Sequence, residues 1–304
     1  MSKVDAPRHD PVPIGEVAAP PFCRLPEPIS LFADRTHRLR RLAQGHALAP
    51  YLTFLADLTE AQYRIQDDLP FPEIPETDAR RRAREFGMPP LDRNRFTVDR
   101  AYDATLVRLL ALAVVIEMPA TAGEALKRVI EADASTRETM MRALLADTVP
   151  VEMLAEHVFV AAALQVHFAR VAAQLDAKAL VPVGEGACPA CGGPPVASMV
   201  VGWKGAHGTR FCSCALCGTL WHVVRIKCTL CGSTRGIGYQ EIEGAPVVKA
   251  ETCDECRGYV KILHQHKEVD VDPIADDVAS LGLDLLVREK GYRRGAFNPF
   301  LVGY

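Results

Sequence analysis

The chain has no apolar run long enough for a membrane. Across 304 residues the longest stretch of apolar residues is Leu109–Ile116, closed off by Arg108 and Glu117. A bilayer span needs about 20 such residues, so no membrane insertion is expected. The first 22 residues are proline-rich and polar and lack the apolar segment of a secretory signal, which points to the cytoplasm. Charge of one sign is also lacking. The net charge of −3 gives no general pull toward nucleic acid or an anionic surface. No GxSxG, P-loop or HExxH pattern occurs, and no nucleophile–base set stands out, so an enzyme is not expected. Apolar residues at 49% and charged residues at 24% otherwise suit a globular protein with a substantial core. Cysteine is nearly absent from most of the chain. Cys23 stands alone, and the other nine lie between 188 and 256.

What that segment contains is specific. Four CxxC pairs follow one another: Cys188/Cys191, Cys214/Cys217, Cys228/Cys231 and Cys253/Cys256. Two thiols on such a turn point at one ion, and a second turn completes a tetrahedron. Three pairs continue into glycine (Gly192, Gly218, Gly232), which lets the turn take a positive φ and aim backbone N–H groups at the sulfurs. A disulfide framework belongs to small secreted domains, so reduced, metal-bound thiols are the better reading.

Four pairs can combine into two sites in three ways, and the spacing favours sequential pairing. The gap between Cys191 and Cys214 and that between Cys231 and Cys253 are nearly equal in length. A shift of roughly 40 residues lays one unit on the other, including Leu220–Val223 on Tyr259–Ile262, as in an internal duplication. Each unit is expected to be a small ribbon whose folding depends on its metal. Complete four-thiolate shells leave no position for substrate or water, which argues for structural or electron-transfer sites. Sulfur-only tetrahedra suit zinc and iron alike. Cys212 has the wrong spacing to Cys217 for a knuckle and reads as a neighbouring or free thiol. His207, His222, His264 and His266 read as surface or supporting groups, because eight cysteines already fill two sites.

The rest of the chain is expected to be helical up to residue 182. Residues 1–28 carry seven prolines and read as a loosely held lead-in. Within the all-α domain, 29–182, Ser30 is expected to cap a helix through Gly45, and Pro50 to sit in the first turn of the next, which runs toward Asp68. Residues 69–98 read as a connection rich in Pro and Arg. Its run Arg80-Arg81-Arg82-Ala83-Arg84 is flanked by Asp78 and Glu85, as on a solvated helix face. Asp99–Met118 is expected to be the most buried helix. Thr121 with Glu124 and Ser135 with Glu138 read as capping boxes. After Pro150 a long helix carries Val151, Leu154, Val158, Ala161, Phe168, Ala172 and Leu175 on one core stripe.

Beyond a Pro/Gly hinge at Val181–Gly186 the helical period disappears. Ala197–Trp203, Leu220–Ile226, Val247–Ala250 and Tyr259–Leu263 read as short strands between knuckles. The first metal ribbon is placed at 183–226 and the second at 227–271. A final helix starting at Asp272 and a polar-aromatic tail fill 272–304. Residues 187–270 hold nine Lys/Arg and seven Asp/Glu, and two divalent ions in thiolate shells bring the segment to about −2. No clustered positive charge for phosphate is present, so no nucleic-acid partner is expected.

Several motifs together carry a family resemblance. The CPxCG opening at Cys188, the core CALCGTLWHVVRIKCTLCGS, the segment CDECRGYVKI at Cys253 and the closing LGLDLLVREKGYRRGAFNPFL resemble the formate dehydrogenase accessory protein family, FdhE. So does a helical first part behind a proline-rich lead-in, so the resemblance extends over nearly the whole chain. It implies a mainly α N-terminal multihelical domain followed by two small tandem rubredoxin-like or zinc-ribbon β modules. It also implies a cytoplasmic, non-catalytic maturation factor needed for active respiratory formate dehydrogenase. The implied partner is that enzyme's catalytic molybdenum or tungsten subunit, bound before export.

Carried over by position, the implied ligands are Cys188, Cys191, Cys214 and Cys217 in one site. Cys228, Cys231, Cys253 and Cys256 make the other, with iron favoured over zinc. Trp221, His222 and Arg225 match the segment between the inner knuckles without an assigned role. The alternatives are a rubredoxin-like electron carrier, a zinc-ribbon nucleic-acid-binding protein, and a helical scaffold whose metals only hold the fold.

Overall fold

A computed structural model of the chain describes residues 20–301. Residues 1–19 of the expected lead-in and 302–304 of the expected tail lie outside the described residues. The helical part comprises α1 (Pro28–Ala43), α2 (Ala49–Arg64), α3 (Thr77–Glu85), α4 (Arg100–Ala113), α5 (Ala120–Glu131), α6 (Ala134–Leu145) and α7 (Leu154–Ala172). A β region follows, and α8 (Pro273–Ala279) and α9 (Leu281–Glu289) close the chain.

The centre of the helical part is α7. It packs against α1, α2, α4, α5 and α6, and it is buried on nearly every side, from Glu156 and His157 to Ala172. Val151–Ala172 is long and apolar enough to cross a membrane by composition, yet most of it is covered inside the fold. The expected stripe describes one face of a helix that is buried nearly all round, polar Glu156, His157, Gln165 and His167 included. Val151, the first residue of that stripe, lies in a 3₁₀ turn ahead of α7 and is exposed.

Other expectations are corrected for local reasons. Pro28, whose ring fixes a helical φ, opens α1. Ser30 therefore sits inside the first turn, its hydroxyl donating to the Glu27 carbonyl at 3.2 Å. Helix α4, expected to be the most buried, ends at Ala113 and leaves Val107, Val114 and Val115 exposed, because its neighbours cover only part of it. Neither capping box forms. Pro119 precedes α5, and Asp133 caps α6 by accepting from the Thr136 N–H at 2.8 Å, two residues ahead of Ser135. Residues 69–98 include α3, which buries no side chain, so its arginine run is a solvated face.

The β region is one sheet in the order β1-β4-β3-β2-β7-β6-β5, with β8 (Arg293–Arg294) beside β7. Strands β2 (Pro195–Val200), β3 (Arg210–Cys214) and β4 (Leu220–Val223) form the first antiparallel module. The second is β5 (Ile237–Gln240), β6 (Val248–Cys253) and β7 (Gly258–His264). Each runs knuckle, strand, strand into a second knuckle, strand, so the repeat holds at the level of elements. The modules are joined edge to edge by parallel pairing of β2 with β7, Ser198 opposite Ile262. Strands β3 and β5 were not expected, since RFCSC and IGYQ carry little apolar alternation and owe their extension to pairing partners. The described part of the lead-in is not loose. It forms β1 (Cys23–Arg24), which pairs with β4, Cys23 opposite Trp221.

Helix α8 fastens the two halves together. Asp272 caps it, accepting from the N–H groups of Ile274 and Ala275 at 3.0 and 2.8 Å. The helix packs on α1, α2, β2 and β7. Buried ion pairs cross from α1: Arg35 to Asp272 at 3.1 Å and Arg38 to Asp276 at 2.6 Å. On the sheet side, buried Lys261 of β7 meets Asp277 at 3.2 Å and Asp284 at 2.5 Å. Arg294 pairs with the same two carboxylates.

Candidate metal centres

Each knuckle is a tight turn at the end of a strand or hinge, so two sulfurs with two residues between them face the same point. The Gly192, Gly218 and Gly232 backbones sit at φ 74, 73 and 76°, the left-handed conformation that glycine adopts without strain. The fourth knuckle takes the same conformation with Arg257, at φ 55°. Its guanidinium is held over the Tyr292 ring at 4.2 Å, by Asp254 at 3.3 Å and by the Lys290 carbonyl at 3.0 Å.

Folding brings the eight sulfurs into two quartets, each with every sulfur within 4.8 Å of the others. In the first, Cys188 lies 3.6 Å from Cys217, and Cys191 lies 3.4 Å from Cys214. In the second, Cys228 lies 3.8 Å from Cys256, and Cys231 lies 3.7 Å from Cys253. A disulfide needs about 2.0 Å between sulfurs, so these thiols are reduced. Four sulfurs about 2.3 Å from one central ion stand about 3.8 Å apart in a tetrahedron. The quartets therefore have the donor set and the spacing of a four-thiolate metal site.

Charge and hydrogen bonding support that fit. Burial, reinforced by the neighbouring sulfurs, pushes the Cys188 thiol well above its usual range, and burial pushes Cys228 up to about 12. A cation is what would hold such crowded groups as thiolates. Backbone N–H groups already point inward: Leu216 and Cys217 donate to Cys214 Sγ and Leu230 to Cys228 Sγ, each at 3.4 Å.

The remaining candidates lie elsewhere. Cys212 is fully buried on β3, outside both quartets, with burial raising its thiol to about 12. Cys23 donates its thiol to the Ala177 carbonyl at 3.3 Å. Among the described residues no histidine joins either quartet. The His222 ring packs edge-on against Phe211 at 5.5 Å, and His264 and His266 pack against each other at 5.3 Å.

Sequence reasoning missed Arg93, which the helical half delivers to the first quartet. A Cβ on Gly193 would lie 3.3 Å from Cys191 Sγ, 3.5 Å from Cys214 Sγ and 3.8 Å from Arg93 Cδ, so the arginine stem and the two sulfurs close on the same glycine. Asp147 grips its guanidinium at 2.6 and 3.2 Å. Burial works against the Arg93 charge, but Asp147 and the two sulfurs outweigh it and raise the group above its ordinary value. Nothing in the Pro/Arg-rich connection marks Arg93 apart from its neighbours.

The molecule is thus a mainly helical protein carrying two fused four-cysteine ribbons. Comparison with known proteins identifies which one: the chain belongs to the FdhE family. The family's N-terminal part matches residues 20–185, its central domain 187–225 and its C-terminal domain 226–301. The chain is similar to a protein FdhE homolog of Rhizobium meliloti (strain 1021), 49% identical over 97% of both chains. It is also similar to protein FdhE of Escherichia coli O1:K1 / APEC, 37% identical over 90% of this chain and 88% of that one. The crystal structure of the FdhE protein from Pseudomonas aeruginosa superposes with a TM-score of 0.82 at 36% identity, covering 93% of this chain and 99% of that one.

Proposed function

We propose that this chain is a cytoplasmic accessory factor for the maturation of respiratory formate dehydrogenase, acting by binding that enzyme's catalytic subunit. The observation that carries the reading is the pair of preformed sulfur quartets in a chain that belongs to the FdhE family over nearly its whole length. Cys188, Cys191, Cys214 and Cys217 are proposed to hold one ion, and Cys228, Cys231, Cys253 and Cys256 a second, with iron the first choice and zinc the other. Iron in such a sphere supplies a one-electron centre, and zinc a structural tie. The thiolates fill the coordination sphere, so the protein works by presenting a surface or an electron centre and not by binding a substrate at the metal. The helical domain is the rigid body that positions the ribbons.

A rubredoxin-like electron carrier is the second reading, favoured by the exposure of Cys231 and the partial exposure of Cys256. It requires a reversible visible spectrum in protein purified without oxygen. For the maturation role, replacing Cys228 and Cys231 with Ser is expected to abolish formate dehydrogenase activity in cells. Full activity in that variant would remove the ribbons from the mechanism. Anaerobic co-purification with candidate dehydrogenase subunits, followed by metal analysis, tests partner and ion together.

A further inference from the structure

We propose that the two quartets are kinetically distinct: the outer one, at Cys228, Cys231, Cys253 and Cys256, exchanges its metal with other molecules, while the inner one is a locked fastener. The inference rests on the reading that both quartets hold metal, and it assigns the exchange to one of them.

The inner quartet is sealed by elements from outside its own ribbon. All four of its cysteines are no more than 1% exposed. The backbone of residues 91–93 is stitched to the first knuckle, Leu91 N–H donating to the Ala190 carbonyl at 2.9 Å and Arg93 N–H to the Cys191 carbonyl at 3.1 Å. Buried Gln165 of α7 donates to the Ala215 carbonyl of the second knuckle at 2.9 Å. Leu31 of α1 lies so close that a Cβ on Gly218 would meet its Cδ2 at 2.8 Å. To reach an ion there, a competing ligand must first part α1, α7 and the 91–93 segment from the knuckles. That is an opening of the core and not a local fluctuation.

The outer quartet lacks such a cover. Cys231 is exposed and Cys256 half-buried, while Cys228 and Cys253 are buried beneath them. Its support comes from its own ribbon and the closing segment, with Leu230 seated where a Cβ on Gly258 or Gly295 would stand, 2.5 and 2.2 Å away. From the hinge, Gly186 sits against the Thr229 carbonyl, where a Cβ would lie 2.3 Å away, and Glu185 pairs with Lys227 at the surface, a kind of pair worth little in water; Cys231 stays exposed beside both. Two of the four sulfurs can thus be approached directly, by a chelator or a thiol reagent.

The test uses full-length protein loaded anaerobically with two equivalents of metal and challenged with the chelator 4-(2-pyridylazo)resorcinol. The expected release is biphasic, one equivalent per phase, with rates at least about tenfold apart. Iodoacetamide added during release, read by peptide mass spectrometry, is expected to mark Cys231 and Cys256 before any of the inner four. Leu31→Ala should speed the slow phase and leave the fast one alone. A single phase carrying both equivalents, or early labelling of Cys188, Cys191, Cys214 or Cys217, would overturn the assignment. Fewer than two equivalents bound at the start would instead sink the two-metal reading beneath it.

Discussion

Gly218 and Gly232 occupy equivalent knuckle positions at nearly the same φ, so they separate backbone strain from packing. At Gly232 a methyl group would meet only the ends of the Glu185 and Lys227 side chains, at 3.5 Å. Gly232→Ala should therefore cost only the left-handed conformation, about 1 kcal/mol. At Gly218 the methyl also strikes Leu31, so Gly218→Ala should cost clearly more, read from urea midpoints of the two variants. His167 gives a second test at this scale. It lies in a box formed by Phe96, Tyr102 and Phe168, and burial lowers its pKa from 6.5 to about 4, against a smaller opposing pull from Asp99. The unfolded chain then binds a proton that the folded one refuses. Stability is full above pH 6.5 and is lost as the pH falls toward 4, by about 1.4 kcal/mol per pH unit at most. His167→Phe suits the aromatic box and should flatten that part of the profile, measured as urea midpoints against pH in variant and parent. Residues of this kind escape a sequence reading. A knuckle is local, so the grouping of eight sulfurs is legible in their spacing, whereas His167 and Arg93 acquire their surroundings from distant parts of the chain.

Between elements, the fastening of α8 to α1 is the joint most open to test. Arg38 and Asp276 are both nearly inaccessible, and burial pushes the Asp276 carboxyl up even with the guanidinium 2.6 Å away. Arg38→Ala would leave that buried carboxylate with the Asp272 N–H but no opposite charge and should cost about 3–5 kcal/mol. Arg41, one turn on, pairs with Glu268 at 2.6 Å but is 37% exposed at its side chain, so Arg41→Ala should cost less than about 1 kcal/mol. Denaturant titration of the two variants checks the contrast. The helix itself was legible, because Asp272 ahead of Pro273 is a local start signal. Its pairing with Arg35 and Arg38, more than 200 residues earlier, was not. The same division explains the strands. Leu220–Val223 and Gly258–His264 announce themselves by β-branched and aromatic content, while β3 and β5 become strands only through pairing.

For the molecule as a whole, the sheet and the inner quartet make the two halves cooperate. Read alone, the duplication suggests two beads on a helical body. Instead β2 and β7 pair directly, α8 packs on both halves, and the inner knuckles are sewn to α7 and to residues 91–93. Metal at the inner quartet should therefore stabilise the helical domain as well as its own ribbon, because binding to the folded state alone is felt by everything that unfolds with it. Two signals report on the halves independently. Both tryptophans, Trp203 and Trp221, lie in the first ribbon, and far-UV dichroism is dominated by the helices. In metal-loaded protein the thermal transitions seen by fluorescence and by dichroism should coincide. Stripping the outer metal with chelator should shift them little, and removing the inner one should lower both together. If tryptophan fluorescence changed on metal loss while the helical transition stayed in place, the ribbon would be an appendage, and the inner quartet could not be what binds the two halves into one folding unit.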